Sequence, residues 1–225
     1  MLTYVARIWV PDRPGALGAV ASRIGAVRGD VVGIEILERG GGLAIDELLI
    51  ELPSPELVPL LVDEMSQVDG VDVEDVRPVA TPMRDPMLDA LHTAAMLVEQ
   101  VSVPALLELL VDQAHRDFQA DWSVVLDLED AATLVVVGEP PAPSWLRAFV
   151  SGGRASSSVA TGECGPDDVG WAHLPAAELA VVLGRRSRAF RARERRRLVA
   201  LAKIANHRWA ELTGRQSRTL HPSAT

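Results

Sequence analysis

The chain has 225 residues, 48% of them hydrophobic and 24% charged, with a formal net charge of −9. This composition belongs to a globular protein with room for two domains, and a net negative charge disfavours general binding to nucleic acid, whose phosphates would be repelled. No apolar run approaches the roughly 20 residues that span a bilayer, and the first ten residues lack a basic segment followed by an apolar core. Cys164 is the single cysteine, which excludes an intramolecular disulfide and fits a reducing, cytoplasmic setting.

Tyr4, Ala6, Ile8 and Val10 alternate with Val5, Arg7 and Trp9, which predicts a first strand. Leu17, Val20, Ala21, Ile24 and Val27 then recur at helical spacing, so the chain must turn between them at Asp12-Arg13-Pro14-Gly15-Ala16-Leu17. Gly15 permits positive φ, Asp12 is placed to cap the helix, and the free N–H groups of its first turn suit a small carboxylate. A plain strand-to-helix turn accounts for the same residues.

Gly29-Asp30 ends that helix and Val31–Leu37 reads as a second strand. Arg39-Gly40-Gly41-Gly42 reads as a hairpin turn into a third strand, Leu43–Leu52. Pro53-Ser54-Pro55 opens a second helix with Ser54 as N-cap, carrying Leu57, Leu60, Leu61 and Met65. Asp69-Gly70 turns into Val71–Val79, a fourth strand. The order strand, helix, strand, strand, helix, strand suits an antiparallel sheet with both helices on one face.

These residues resemble the ACT domain, a small regulatory module that usually binds amino acids. The resemblance covers residues 1–80 and rests on Asp12-Arg13-Pro14-Gly15-Ala16-Leu17 after the first strand and on Gly29-Asp30-Val31 entering the second. It departs from the family at Asp30, where an anion stands in place of an amide. The resemblance implies a ferredoxin-like βαββαβ fold and a homodimer formed side by side through edge strands. It also implies a small amino acid held between the loop of one chain and the second strand of the other. In that arrangement Asp12, Arg13, Pro14, Gly15, Ala16 and Leu17 form one wall, with the amides of Gly15, Ala16 and Leu17 on the carboxylate. Asp12 or Asp30 meets the ammonium, and Val31 and Val32 shape the side-chain pocket.

Pro78, Pro82 and Pro86 mark a boundary. Residues 81–101 read as a linker helix, with Met87, Leu88, Leu91, Ala94, Ala95 and Val98 on one face. It pairs with a second copy or packs on its own domain. Ser102 is placed as N-cap of the next helix, whose apolar face holds Leu106, Leu107, Leu110, Val111 and Ala114. Trp122–Leu128 and Ala132–Val137 predict two strands, Pro143–Phe149 a short helix capped by Ser144, and Val169–Leu174 with Ala177–Leu183 another strand pair. Ser151–Asp168, rich in Gly and Ser, reads as a loop or lid. A last helix carries Leu198, Leu201, Ala202, Ala205, Trp209 and Leu212, with Gly214 as its end and residues 216–225 as a flexible tail.

Residues 102–215 resemble a GAF domain, an antiparallel sheet flanked by its first and last helices that serves as a small-molecule sensor. The likeness rests on Asp121-Trp122-Ser123-Val124-Val125 after a helix and on Ala180-Val181-Val182-Leu183-Gly184 followed by Phe190 and the terminal helix. No nucleotide-binding signature accompanies it.

His92, His115, His173, His207 and His221 show no metal-ligand spacing, and no nucleophile elbow, phosphate loop or dinucleotide fingerprint appears. No catalytic residues, metal site or cofactor are therefore expected. Asp127, Glu129 and Asp130 fall in a hairpin turn. Arg185–Arg197 holds eight arginines against Glu194, which reads as a solvated helix entrance or a docking site for an acidic protein. The expected function is that of a non-enzymatic regulatory sensor. The alternatives are a dimerisation scaffold without ligand, or an enzyme with Cys164 or His173 beneath the Ser151–Asp168 segment.

Overall fold

The computed structural model describes residues 1–79, 86–186 and 188–220, and the chain divides into two compact units, Met1–Asp85 and Pro86–Thr225. The expected boundary at Pro78–Pro86 falls largely on 80–85, outside the described residues.

In the first unit β1 (Leu2–Pro11), α1 (Ala16–Ala26), β2 (Asp30–Gly40), β3 (Leu43–Leu52), α2 (Val58–Ser66) and β4 (Asp72–Pro78) follow in that order. The sheet order is β2-β3-β1-β4, with every neighbouring pair antiparallel. The alternation of β1 has the expected consequence. Tyr4, Ala6, Ile8 and Val10 enter one core with Leu48, Ile50 and Leu52 of β3, Val20 and Ile24 of α1, and Leu61 and Met65 of α2. Gly41 and Gly42 sit at φ +61° and +79° between the paired residues Gly40 and Leu43. Two successive positive φ values are what a tight hairpin matched to strand twist demands. Ser54 caps a 3₁₀ turn (Pro55–Leu57) ahead of α2 by accepting from the Glu56 amide at 3.4 Å.

The other face of this sheet carries charge. Arg7 is 1% exposed and reaches Glu47 with Nη2 at 2.8 Å, while Arg77 reaches the same carboxylate at 2.9 Å. Burial alone would raise the Glu47 carboxyl, but Arg77 and Arg7 outweigh it and hold it below the usual carboxylate range.

The second unit contains α3 (Pro86–Glu99), α4 (Val103–Asp117), β5 (Trp122–Asp127), β6 (Thr133–Val137), α5 (Pro143–Arg154), α6 (Ser157–Ala160), β7 (Val169–Leu174), β8 (Leu179–Gly184) and α7 (Ala192–Leu220). Its antiparallel sheet has the order β6-β5-β8-β7. Both faces are packed. Val125, Ala172, Leu174, Val181 and Leu183 share one core with Leu106, Leu107 and Leu110 of α4 and with Leu198, Ala202 and Ala205 of α7. Trp122, Val124, Leu126, Trp171, Ala180 and Val182 share another with Leu146 and Val150 of α5. α3 packs within its own unit, though not by the expected face: Leu88, Leu91, Ala95 and Val98 are exposed, and the buried side carries Thr93 and Leu97 instead. Leu97 is buried in the α4–α7 core, and Arg208 of α7 donates to the Gln100 carbonyl at 2.7 and 2.9 Å.

Ser102 caps α4 through the Ala105 amide at 3.4 Å. Ser144 does not cap α5, whose N-cap is Ala142 with Pro143 in the first turn. The Ser151–Asp168 segment is loop only in its second half, 161–168, since α5 runs on through Ser151, Gly152 and Gly153 to Arg154 and α6 follows. Gly153 lies so close to the Trp171 ring that a Cβ there would come within 2.7 Å of it, so packing overrides the weak helix propensity of the Gly pair. Gly214 does not end α7, which continues to Leu220 and so includes the first part of the expected tail. Residues 221–225 lie outside the described ones.

Candidate functional site

At the end of β1, the Asp12 amide bonds the Gly42 carbonyl at 2.9 Å, which fastens the loop to the β2–β3 hairpin. Gly15 is the N-cap of α1 at φ +87°, and no side chain caps the helix. Asp12 therefore does not cap it. Its carboxylate faces Arg39 instead, with Oδ1 at 3.9 Å from Nε. Arg13 reaches the exposed Asp69 at 3.7 Å. Asp12, Arg13, Pro14 and Gly15 are exposed, whereas Ala16 is buried in the core and Leu17 packs against it. The Ala16 amide already donates to the Arg13 carbonyl at 3.3 Å, so in this loop conformation it is not free to hold a carboxylate.

Asp30, Val31 and Val32 open β2 at its opposite end. Asp30 pairs with Glu51, whereas Gly40 pairs with Leu43 beside the Asp12 loop. A strand rises about 3.3 Å per residue, so the two groups are on the order of 30 Å apart within one chain. The structure does not bring them together in a single copy. Val31 packs on the core, and Asp30 is exposed.

One residue at the loop end went unmarked in the sequence reading. Asp46 of β3 lies between Ile8 of β1 and Ile36 of β2, two residues from the core-facing Ala44 and Leu48. It is 3% exposed, and its Oδ1 is buried without a hydrogen-bond partner. Burial raises its carboxyl above the ordinary 3.8, Arg39 opposes the rise, and the charge of Asp12 adds to it. Its signal in the sequence was a lone acid on the apolar side of an otherwise regular strand.

In the second unit the arginine run is mostly structural. Arg185 is 1% exposed and Arg195 8%. Arg185 donates to both oxygens of Glu194 at 2.8 Å and to the Phe118 carbonyl at 2.8 Å, with its guanidinium 4.0 Å from the Phe190 centroid. Arg197 reaches Asp117 at 3.2 Å and Arg188 reaches Gln119 at 2.7 Å. The expectation of a solvated helix entrance is therefore corrected at Arg185 and Arg195, which turn inward onto Glu194 and backbone carbonyls. Arg186, Arg193 and Arg196 remain exposed. Asp127 closes the β5–β6 turn by accepting from the Glu129 and Asp130 amides at 2.8 and 3.2 Å.

Cys164 is exposed. His173 lies 3.9 Å from Glu178, with Nε2 buried and lacking a hydrogen bond. Burial, then Arg154, lowers its pKa below the ordinary 6.5 against the pull of Glu178. The unfolded chain thus binds the proton first, so this group's contribution to stability should be lost as pH falls below 6.5. Urea midpoints of the wild type and His173→Gln should converge on alkaline titration and diverge in favour of the variant below that point. Among the described residues no group of three His, Cys, Asp or Glu side chains could hold a metal ion, and no helix is long and apolar enough to cross a membrane.

No family model matches the chain, and no curated protein matches it. Among solved structures, an unknown protein from Galdieria sulphuraria is similar at 11% identity and a TM-score of 0.32, over 93% of this chain and 94% of that one. The ACT domain from GTP pyrophosphokinase of Chlorobium tepidum is a structural neighbour at 19% identity and a TM-score of 0.28, over 34% of this chain and 96% of that one. TM-scores this low fix neither fold nor function.

Proposed function

We propose that the chain is a non-enzymatic, cytoplasmic regulatory protein. Its first unit is a ferredoxin-like ACT-type domain that binds a small amino acid, and its second unit is a GAF-like domain that receives the event. The observation that carries this reading is the turn at Gly15. It opens α1 with positive φ and no side-chain cap, at the same end of the sheet as Arg39 and Asp46.

A homodimer supplies the remainder of the site. β2 is an edge strand carrying the exposed Ile34. A two-fold axis pairs such a strand antiparallel to its own copy. Asp30, Val31 and Val32 of the partner subunit then approach the Asp12–Leu17 end, which they cannot reach within one chain. Binding across that seam favours the ordered dimer, and the second unit responds to the shift in population. An acidic protein meeting Arg186, Arg193 and Arg196 is the partner this reading assigns to that unit.

The scaffold alternative draws support from the second unit, where Trp122, Leu146, Val150 and Trp171 fill the sheet face against α5. On either reading that face is packing and not a second sensor.

Gly15→Val tests the loop cleanly. No atom lies within 4 Å of a Cβ at Gly15, so the substitution meets no steric block. It instead penalises the positive φ by about 1–2 kcal/mol. A thermal-shift screen of the twenty amino acids should show stabilisation of the wild type that the variant loses. Stabilisation preserved in Gly15→Val would move the site elsewhere, and none in the wild type would favour the scaffold.

A further inference from the structure

Asp46 has no structural employment that accounts for it. A carboxylate is an acceptor-only group, and burying one oxygen unpaired is costly unless a donor arrives. Here Oδ1 is buried without a partner, on a residue 3% exposed, while its strand neighbours Ile8 and Ile36 offer no donor side chain. The nearest cation by its electrostatic effect is Arg39, whose side chain is 58% exposed and stands 3.9 Å from Asp12. That guanidinium lies at the surface, facing Asp12, and has left Asp46 Oδ1 unbonded.

The group that would satisfy Oδ1 is therefore a hydrogen-bond donor from outside this set of side chains. Among the described residues neither Asp12 nor Asp46 belongs to a group of three His, Cys, Asp or Glu side chains that could hold a metal ion. A primary ammonium suits Asp46 better, since it brings both the N–H donors and the positive charge that a buried carboxylate needs.

We infer that Asp46 receives the ammonium group of the amino acid, beneath the Asp12–Gly15 turn, while Arg39 at the rim faces the ligand's carboxylate. This inference rests on the amino-acid-binding reading and specifies it. It moves the ammonium contact from Asp30 to β3. It also assigns the ligand class as α-amino acids with an unblocked amine, and it explains why a charged residue occupies a core-facing strand position.

The test is calorimetric titration of the full chain with each of the twenty L-amino acids, and with the N-acetyl derivative of any that binds. Wild type and Asp46→Asn are compared. Asparagine keeps the shape and removes the charge, and unfolding of the variant is followed in parallel. The N-acetyl probe asks the same question of the unmutated protein. The expected result is an affinity at least about tenfold weaker in Asp46→Asn, the equivalent of one charged hydrogen bond, and no binding of the N-acetyl form. Asp46→Asn binding within twofold of wild type, or N-acetyl derivatives binding as well as the free amino acid, would overturn the ammonium assignment while leaving the amino-acid reading intact. Failure of every amino acid to bind the wild type would overturn both.

Discussion

Glu194→Ala should destabilise the second unit by about 3–5 kcal/mol, the cost of stripping one partner from a buried ion pair. Arg185 has a fully buried side chain, and Glu194 meets it with both oxygens at 2.8 Å while also accepting from the Arg191 amide at 2.9 Å. The carboxylate thus neutralises an interior guanidinium and holds the entrance to α7. The same guanidinium reaches back to the Phe118 carbonyl at the end of α4, and to the Ala189 carbonyl at 2.8 Å. Removing Glu194 strips this bidentate carboxylate from a guanidinium that also meets backbone carbonyls and the Phe190 ring. Chemical denaturation should register the loss, with a fall in Tm on the order of 10 °C. The double variant Arg185→Met with Glu194→Leu should recover much of it, because apolar replacement of both members removes the stranded charge. A single-variant loss below about 1 kcal/mol would mean that solvent reaches the pair.

The second large effect is expected at Gly184. It pairs across the sheet with Trp122, and a methyl group placed on Gly184 would stand only 2.3 Å from the nearest indole carbon. The ring has little freedom to move, since Trp122 is 8% exposed and sits among Val124, Leu146 and Val182. Gly184→Ala should therefore cost about 3 kcal/mol, at the upper end of overpacking in a filled core. Trp122→Leu loses aromatic packing on its own, yet combined with Gly184→Ala it should be less damaging than the sum of the two. A double-mutant cycle by urea unfolding measures that coupling. Strict additivity would show that the ring moves aside without cost.

The parts of the fold that were legible in the sequence are those with a local cause. Alternation at Tyr4, Ala6, Ile8 and Val10 identified the core face of β1, and Gly41-Gly42 marked the hairpin because two positive φ values have few other tenants. Ser54 and Ser102 announced helix starts through side-chain oxygens two or three residues before the amides they accept. What escaped depends on distant partners. The helix through Gly152 and Gly153 exists because Trp171 lies against it, and nothing near Gly153 reveals that ring. Arg185 and Arg195 read as surface charge because their run is basic, whereas the acceptors that bury them include carbonyls invisible to composition.

The site divides in the same way. The turn at Gly15 was legible, but Asp12 was misassigned as a cap because the hairpin that brings Arg39 to it is 27 residues away. Asp46 needed the register of β1, β3 and β2 before its isolation among Ile8 and Ile36 had meaning. The separation of Asp30–Val32 from the Asp12 loop likewise follows from strand direction, which places them at opposite ends of β2.

The most direct measurement is calorimetric titration of amino acids into the full chain and into Gly15→Val. The account predicts a saturable heat from a small amino acid, near one site per chain, that is lost in the variant. Heat of equal size and affinity in Gly15→Val, or none from any amino acid with the wild type at millimolar concentration, would contradict it.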